Sequence, residues 1–94
     1  MSTLSTHILD ISTGRPAQGV KITLECEGAQ VACGVTDDNG RIGELGAGPL
    51  APGHYRLSAE IGAWFAAGGR ETLYLSAQID FVIREEADEH YHLP

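Results

Sequence analysis

Apolar residues fall at every second position over most of this 94-residue chain, and that period of two commits it to strands. The cleanest run is Val20 to Glu27, with Val20, Ile22, Leu24 and Cys26 on one face and Lys21, Thr23, Glu25 and Glu27 on the other. Successive side chains of a strand point to opposite sides, so this run describes a half-buried strand. Gly28-Ala29 can turn it back, and Val31, Cys33 and Val35 are expected to line the apolar face of the returning strand. Asp37-Asp38-Asn39-Gly40 is a strong turn signal, because Asn and Gly tolerate positive φ. Arg41 to Leu45 reads as a short extended piece and Gly46 to Gly53 as a loop. His54 to Ile61 and Leu73 to Ile83 read as further strands, and His90 to Pro94 as the last. Between them, Gly62 to Gly69 has a helix-friendly centre closed by paired glycines, which predicts one or two helical turns. Glu85 to Glu89 reads as a solvated acidic turn. With Thr6 to Ile11 as the first strand, seven extended segments and one short helix predict an all-β fold, an antiparallel β-sandwich, in one domain over residues 1–94.

A formal charge of -7 argues against nucleic acid, whose phosphates reward a basic face, and against anionic membrane surfaces. No apolar run approaches the roughly 20 residues of a spanning helix. Met1 to His7 lacks the basic start and apolar block of a signal peptide, so a cytoplasmic location is expected. A domain this small has a thin core, and oligomerisation would help it. Cys26 and Cys33 are too few for a disulfide scaffold and form no C-x-x-C pair, and are read as buried small hydrophobes.

Four histidines carry most of the chemical interest. His7 shares a parity with Leu9 and Ile11, which would normally point inward. It is either a satisfied, partly buried histidine near a strand end or one aimed into a cavity. His90 and His92 are two apart on an extended segment and point the same way. Such a pair can bind zinc if His7 or an acid supplies a third ligand, which would make the chain a metal-binding β domain. His54 reads as an exposed polar position, and Asp37 and Asp38 as turn formers. Arg41, directly after the Asn39-Gly40 turn, is either a surface charge or a holder of an anionic or carbonyl-rich small molecule. There is no G-x-S-x-G elbow, phosphate loop or dinucleotide fingerprint.

Five fragments in order resemble the transthyretin-like (prealbumin-like) family, in particular its members that hydrolyse 5-hydroxyisourate. Ser5-Thr6-His7-Ile8-Leu9-Asp10 with Gly14-Arg15-Pro16-Ala17-Gln18-Gly19-Val20 resembles S-T-H-V-L-D … G-x-P-A-x-G-V. Thr36 to Arg41 resembles T-x-x-D-G-R, with Asn39 where Asp is commoner. Pro52 to Leu57 resembles P-G-x-Y-x-L, Trp64 to Arg70 resembles Y-F-x-x-x-G-R, and His90 to Pro94 resembles H-Y-H-V-P. The resemblance implies a seven- or eight-stranded sandwich and a homotetramer, a dimer of dimers with a channel between the dimers. It implies a hydrolase of urate degradation, in purine metabolism, converting 5-hydroxyisourate to 2-oxo-4-hydroxy-4-carboxy-5-ureidoimidazoline without metal or cofactor. It places the family's catalytic and substrate-binding residues on His7, Arg41 and His92. The hormone carrier of the family lacks these histidines, so their presence favours enzyme over carrier.

The family pattern continues past H-Y-H-V-P with further strand sequence and a terminal Y-R-G-S, whereas this sequence ends at Pro94. The resemblance therefore implies a chain truncated at its C-terminus, or an incomplete sequence. The alternative it leaves is a non-catalytic small-molecule binding or interaction module, inactivated by loss of that tail.

Overall fold

Lys21–Cys26, the cleanest alternation in the sequence, becomes the β4 strand near the middle of a four-stranded antiparallel sheet. The computed structural model describes residues 3–10, 12–46, 50–84 and 90–94. In chain order the elements are β1 (Thr3–His7), β2 (Leu9–Asp10), β3 (Arg15–Pro16), β4 (Lys21–Cys26), β5 (Ala29–Val35), β6 (Arg41–Ile42), β7 (Gly53–Ala59), α1 (Ile61–Ala67), β8 (Ala77–Ile83) and β9 (His90–Leu93). One sheet runs β5-β4-β7-β8 and the other β6-β1-β9, with β2 and β3 as a separate two-stranded ribbon. This is the expected β-sandwich with one short helix. Its one departure from antiparallel order is β9, which lies parallel to β1 with Ser5 opposite His92.

The core is the space between the sheets. From the larger sheet come Ile22, Leu24, Tyr55, Leu57, Ala59 and Ile83, and from the smaller come Leu4 and the partly buried Ile42, Tyr91 and Leu93. Each fully buried Leu or Ile contributes about 2 kcal/mol of transfer free energy, so a few such residues set the stability of a chain this short.

Three expectations about facing are corrected. First, Leu4 and Thr6 are buried and Ile8 half-buried, while Leu9 is 52% exposed, so the inward parity of the first strand is not that of His7. The strand ends at His7 and changes partner before Leu9, and Thr6 can be buried because its hydroxyl donates to the Leu93 carbonyl at 2.6 Å. Ile11, the last member of that alternation, lies outside the described residues. Second, Val31, Cys33 and Val35 face outward, and Ala32 and Gly34 lie opposite Leu24 and Ile22 on the core side. Space is short at Gly34: a Cβ there would stand 3.2 Å from Ile42 Cδ1. Cys33 is therefore exposed and Cys26 half-buried, both as free thiols. Third, Leu73, Tyr74 and Leu75 belong to no strand and are largely exposed; pairing of β8 begins at Ala77, opposite Ala59.

The connections follow their residues. Glu27 and Gly28 both take positive φ, which makes a two-residue hairpin turn between β4 and β5. The segment expected to extend from Arg41 to Leu45 is strand only at Arg41–Ile42. Part of the expected Gly46 to Gly53 loop, residues 47–49, and the whole Glu85 to Glu89 turn lie outside the described residues. The helix forms where the glycine-closed stretch predicts it, and ends as Gly68 N–H bonds back to the Trp64 and Phe65 carbonyls.

Candidate active site

The three-stranded sheet turns one face to the core and the other outward, and the outward face collects the residues that matter. In β1 the buried parity of Leu4 and Thr6 leaves Thr3, Ser5 and His7 on the opposite side. Antiparallel register sets Arg41 of β6 opposite His7, and parallel register sets His92 of β9 opposite Ser5 and His90 opposite Thr3. Paired residues share a face, so His7, Arg41 and His92 come together although they are distant in sequence. The His7 and His92 rings lie 6.5 Å apart, centroid to centroid, tilted by 41°. Arg41 and His92 are exposed and His7 is half-buried, so a small molecule can reach all three.

Arg41 is placed by its turn. Gly40 has φ +73°, and its amide bonds to the Asp37 carbonyl at 2.9 Å. The Asp37 carboxylate accepts from the amides of Arg41 and Asn39, both at 2.9 Å. Those two bonds hold the Asp37 carboxyl below its ordinary pKa, helped by the charges of Arg41 and His7. Across the turn, Ile8 N–H donates to the Gly40 carbonyl at 2.8 Å, which ties the residue after His7 to the residue before Arg41.

The strand pair β1–β9 adds a chain of polar contacts. Thr3 Oγ1 lies 2.5 Å from His90 Nδ1, Ser5 Oγ lies 2.9 Å from His90 Nε2, and Ser5 Oγ lies 2.8 Å from His92 Nδ1. His90 thus engages hydroxyls through both ring nitrogens. Among the described residues no three His, Cys, Asp or Glu side chains are grouped as a metal ion would require. His54 is exposed in β7, in the other sheet, away from this face.

With this geometry in view, residues 4–94 match the model of the HIUase/Transthyretin family. The chain belongs to that family. A 5-hydroxyisourate hydrolase of Salmonella typhimurium is 38% identical over 96 residues, covering 97% of this chain and 70% of that relative. The solved structure of 5-hydroxyisourate hydrolase from Klebsiella pneumoniae superposes with a TM-score of 0.90 at 55% identity, over 100% of this chain and 90% of the other. Transthyretin from Sparus aurata superposes at 0.85 with 29% identity, over 97% and 86%. The fold is therefore common to enzyme and carrier branches of the family, and the side chains on the outward face of β6-β1-β9 must decide between them. Sequence reasoning brought His7, Arg41 and His92 forward. It paired His90 with His92 only as possible metal ligands and did not single out Ser5, although the S-x-H spacing puts Ser5 on the side of His7.

Proposed function

We propose that this chain hydrolyses 5-hydroxyisourate to 2-oxo-4-hydroxy-4-carboxy-5-ureidoimidazoline, and that His7, Arg41 and His92 carry the reaction. The observation that carries the proposal is the meeting of those three side chains on one accessible sheet face, in a chain similar to 5-hydroxyisourate hydrolases. Water adds to the ring acyl carbon, the acyl carbon–nitrogen bond breaks, and the proton taken from water returns to the departing ring nitrogen. A histidine suits both transfers, since its pKa lies near neutrality. Two histidines on one face allow one to accept while the other donates. Arg41 presents fixed N–H donors to carbonyl oxygens and stabilises the negative charge that develops as water attacks. Nothing in these steps requires a metal or cofactor.

Residues 1–94 are read as one domain, supported by a family match over 4–94 and one continuous core. The active form is proposed to be a homotetramer in which the outward face of β6-β1-β9 lines a channel. Ile79 and Val82, exposed on the outer strand β8, offer apolar surface for assembly. A cytoplasmic location is part of the same proposal, and two free cysteines suit a reducing compartment. The decisive experiment follows the ultraviolet decay of 5-hydroxyisourate freshly generated from urate. Acceleration well above the spontaneous rate supports the assignment, and no acceleration by the folded chain overturns it.

A further inference from the structure

We propose that Ser5 and His90 are positioning residues: His90, acting through the Ser5 hydroxyl, holds His92 as its Nδ1–H tautomer and leaves Nε2 as the nitrogen that takes a proton. The inference rests on the functional reading above and adds two residues to the same site. Ser5 is buried, with its Oγ 2.9 Å from His90 Nε2 and 2.8 Å from His92 Nδ1. A hydroxyl has one hydrogen, so it donates to one of these imidazoles and accepts from the other. With both rings neutral, the chain of contacts has two polarities. In the first, His90 Nδ1–H donates to Thr3 Oγ1, Ser5 O–H donates to His90 Nε2, and His92 Nδ1–H donates to Ser5 Oγ. In the second, every donor and acceptor is exchanged, and His92 carries its proton on Nε2.

Chemistry selects the first polarity. Only there is His92 Nε2 an unprotonated acceptor ready to take the proton of the attacking water. Only there does the contact survive proton uptake, because an imidazolium has N–H on both nitrogens and needs an acceptor behind Nδ1. Under the second polarity the Ser5 O–H would face the new Nδ1–H. The arrangement follows the logic by which an acceptor behind a catalytic imidazole fixes its tautomer and orientation. Here the acceptor is a hydroxyl whose own hydrogen is drawn off by a second imidazole. His90 need not touch substrate to matter; it sets which way Ser5 points.

The test is nitrogen-15 NMR of the imidazole rings in the full chain near pH 8, where an unperturbed histidine is neutral, alongside kinetics on 5-hydroxyisourate. The unmodified chain is expected to show His92 in the Nδ1–H pattern. Ser5→Ala removes the acceptor, and His90→Phe frees the Ser5 hydrogen to turn onto His92. Both should shift His92 toward Nε2–H and lower kcat about tenfold, less than the roughly 10²-fold or more of a lost acid–base group because the imidazole itself remains, with KM within about twofold. Ser5→Thr keeps the hydroxyl and should retain tautomer and rate. An Nε2–H pattern in the unmodified chain overturns the proposal. So do unchanged tautomer and kcat in both Ser5→Ala and His90→Phe. Failure of the unmodified chain to hydrolyse 5-hydroxyisourate overturns the functional reading instead, and the tautomer of His92 is still read.

Discussion

Asp10 and Arg70, 60 residues apart in the chain, form an ion pair of 2.6 Å that ties the segment after β1 to the end of the helix. The guanidinium also lies over two aromatic rings, with its Cζ 4.6 Å from the centre of Phe65 and 5.3 Å from that of Trp64, within cation–π range. The hydrogen bond from Ser12 and the pairing with Arg70 hold the Asp10 carboxyl down at about 2, against an ordinary value of 3.8. A carboxyl lowered in the folded state stabilises the fold at pH above its unfolded value, and that contribution is lost as pH falls through the folded value. Asp10→Asn should therefore lower the urea midpoint at pH 6. The gap to the unmodified chain should close as pH falls from about 4 toward 2. Urea titrations at several pH values check this, and a gap independent of pH contradicts it.

Arg70 is also predicted to resist conservative exchange. Lysine keeps the charge but has neither the broad guanidinium that lies over Phe65 nor the fork that reaches Asp10 and Ser12. Arg70→Lys should lower the melting temperature by roughly 4 °C, corresponding to a loss of about 0.5–1 kcal/mol as the forked hydrogen bonding is lost and the aromatic contact weakened in a domain of this size. Scanning calorimetry reads the shift directly. A melting temperature equal to that of the unmodified chain would mean that charge alone matters at this position.

Substitutions on the outward face of β6-β1-β9 should separate activity from stability. His7→Ala or His92→Ala should lower kcat/KM by about 10²- to 10⁴-fold, the range of a lost acid–base group. Arg41→Ala should lower it by about 10²- to 10³-fold, as expected for a lost charge-stabilising donor. None of these side chains belongs to the core cluster, so far-ultraviolet circular dichroism and the unfolding midpoint should stay close to those of the unmodified chain. Full activity in both histidine variants would remove them from the mechanism.

How far the sequence carried depended on whether the signal was local. The Asp37 to Gly40 turn, the β4 alternation and the glycine-closed helix rest on neighbouring residues and form close to their expected places, whereas the strand expected over His54 to Ile61 ends at Ala59 because Ile61 already opens the helix. The facing of β1 and β5 rests on distant residues. Thr6 is inward because Leu93 supplies an acceptor, and Val31, Cys33 and Val35 are outward while Ala32 and Gly34 take the core side, where Ile42 and Leu45 come close to Gly34. The same distinction holds at the site. Motif resemblance singled out His7, Arg41 and His92, but that Ser5 sits between His90 and His92 follows only from the parallel register of β1 and β9. Alternation says which side a residue takes and nothing about which strand lies beside it.

Gly40 is the backbone position on which Arg41 depends. Its φ of +73° is strained for any residue with a side chain, and a Cβ there would stand 2.3 Å from the Ile8 carbonyl oxygen. That oxygen cannot yield freely, since it accepts from Ala17 N–H at 2.9 Å. Gly40→Ala should cost about 3 kcal/mol, combining left-handed backbone strain with displacement of that bond. It should also lower kcat, because the shift moves Arg41 relative to His7. Equal stability and rate in the variant would mean that the turn relaxes without disturbing either residue.

Thr36 gives the sharpest test of buried polar satisfaction. It is 3% exposed, and its hydroxyl donates to the Ala17 carbonyl at 2.6 Å while accepting from Val20 N–H at 2.9 Å. One side chain therefore satisfies two backbone groups where the chain enters β4. Thr36→Val has nearly the same shape and replaces only the hydroxyl, so no cavity forms to confuse the result. Both backbone groups are then left buried without that partner, at a cost of about 3 kcal/mol. Thr36→Ser keeps the hydroxyl and loses one methyl group, which should cost about 1 kcal/mol. Urea unfolding of the two variants ranks the effects. If Ser proves more damaging than Val, packing rather than hydrogen bonding holds this corner of the sandwich.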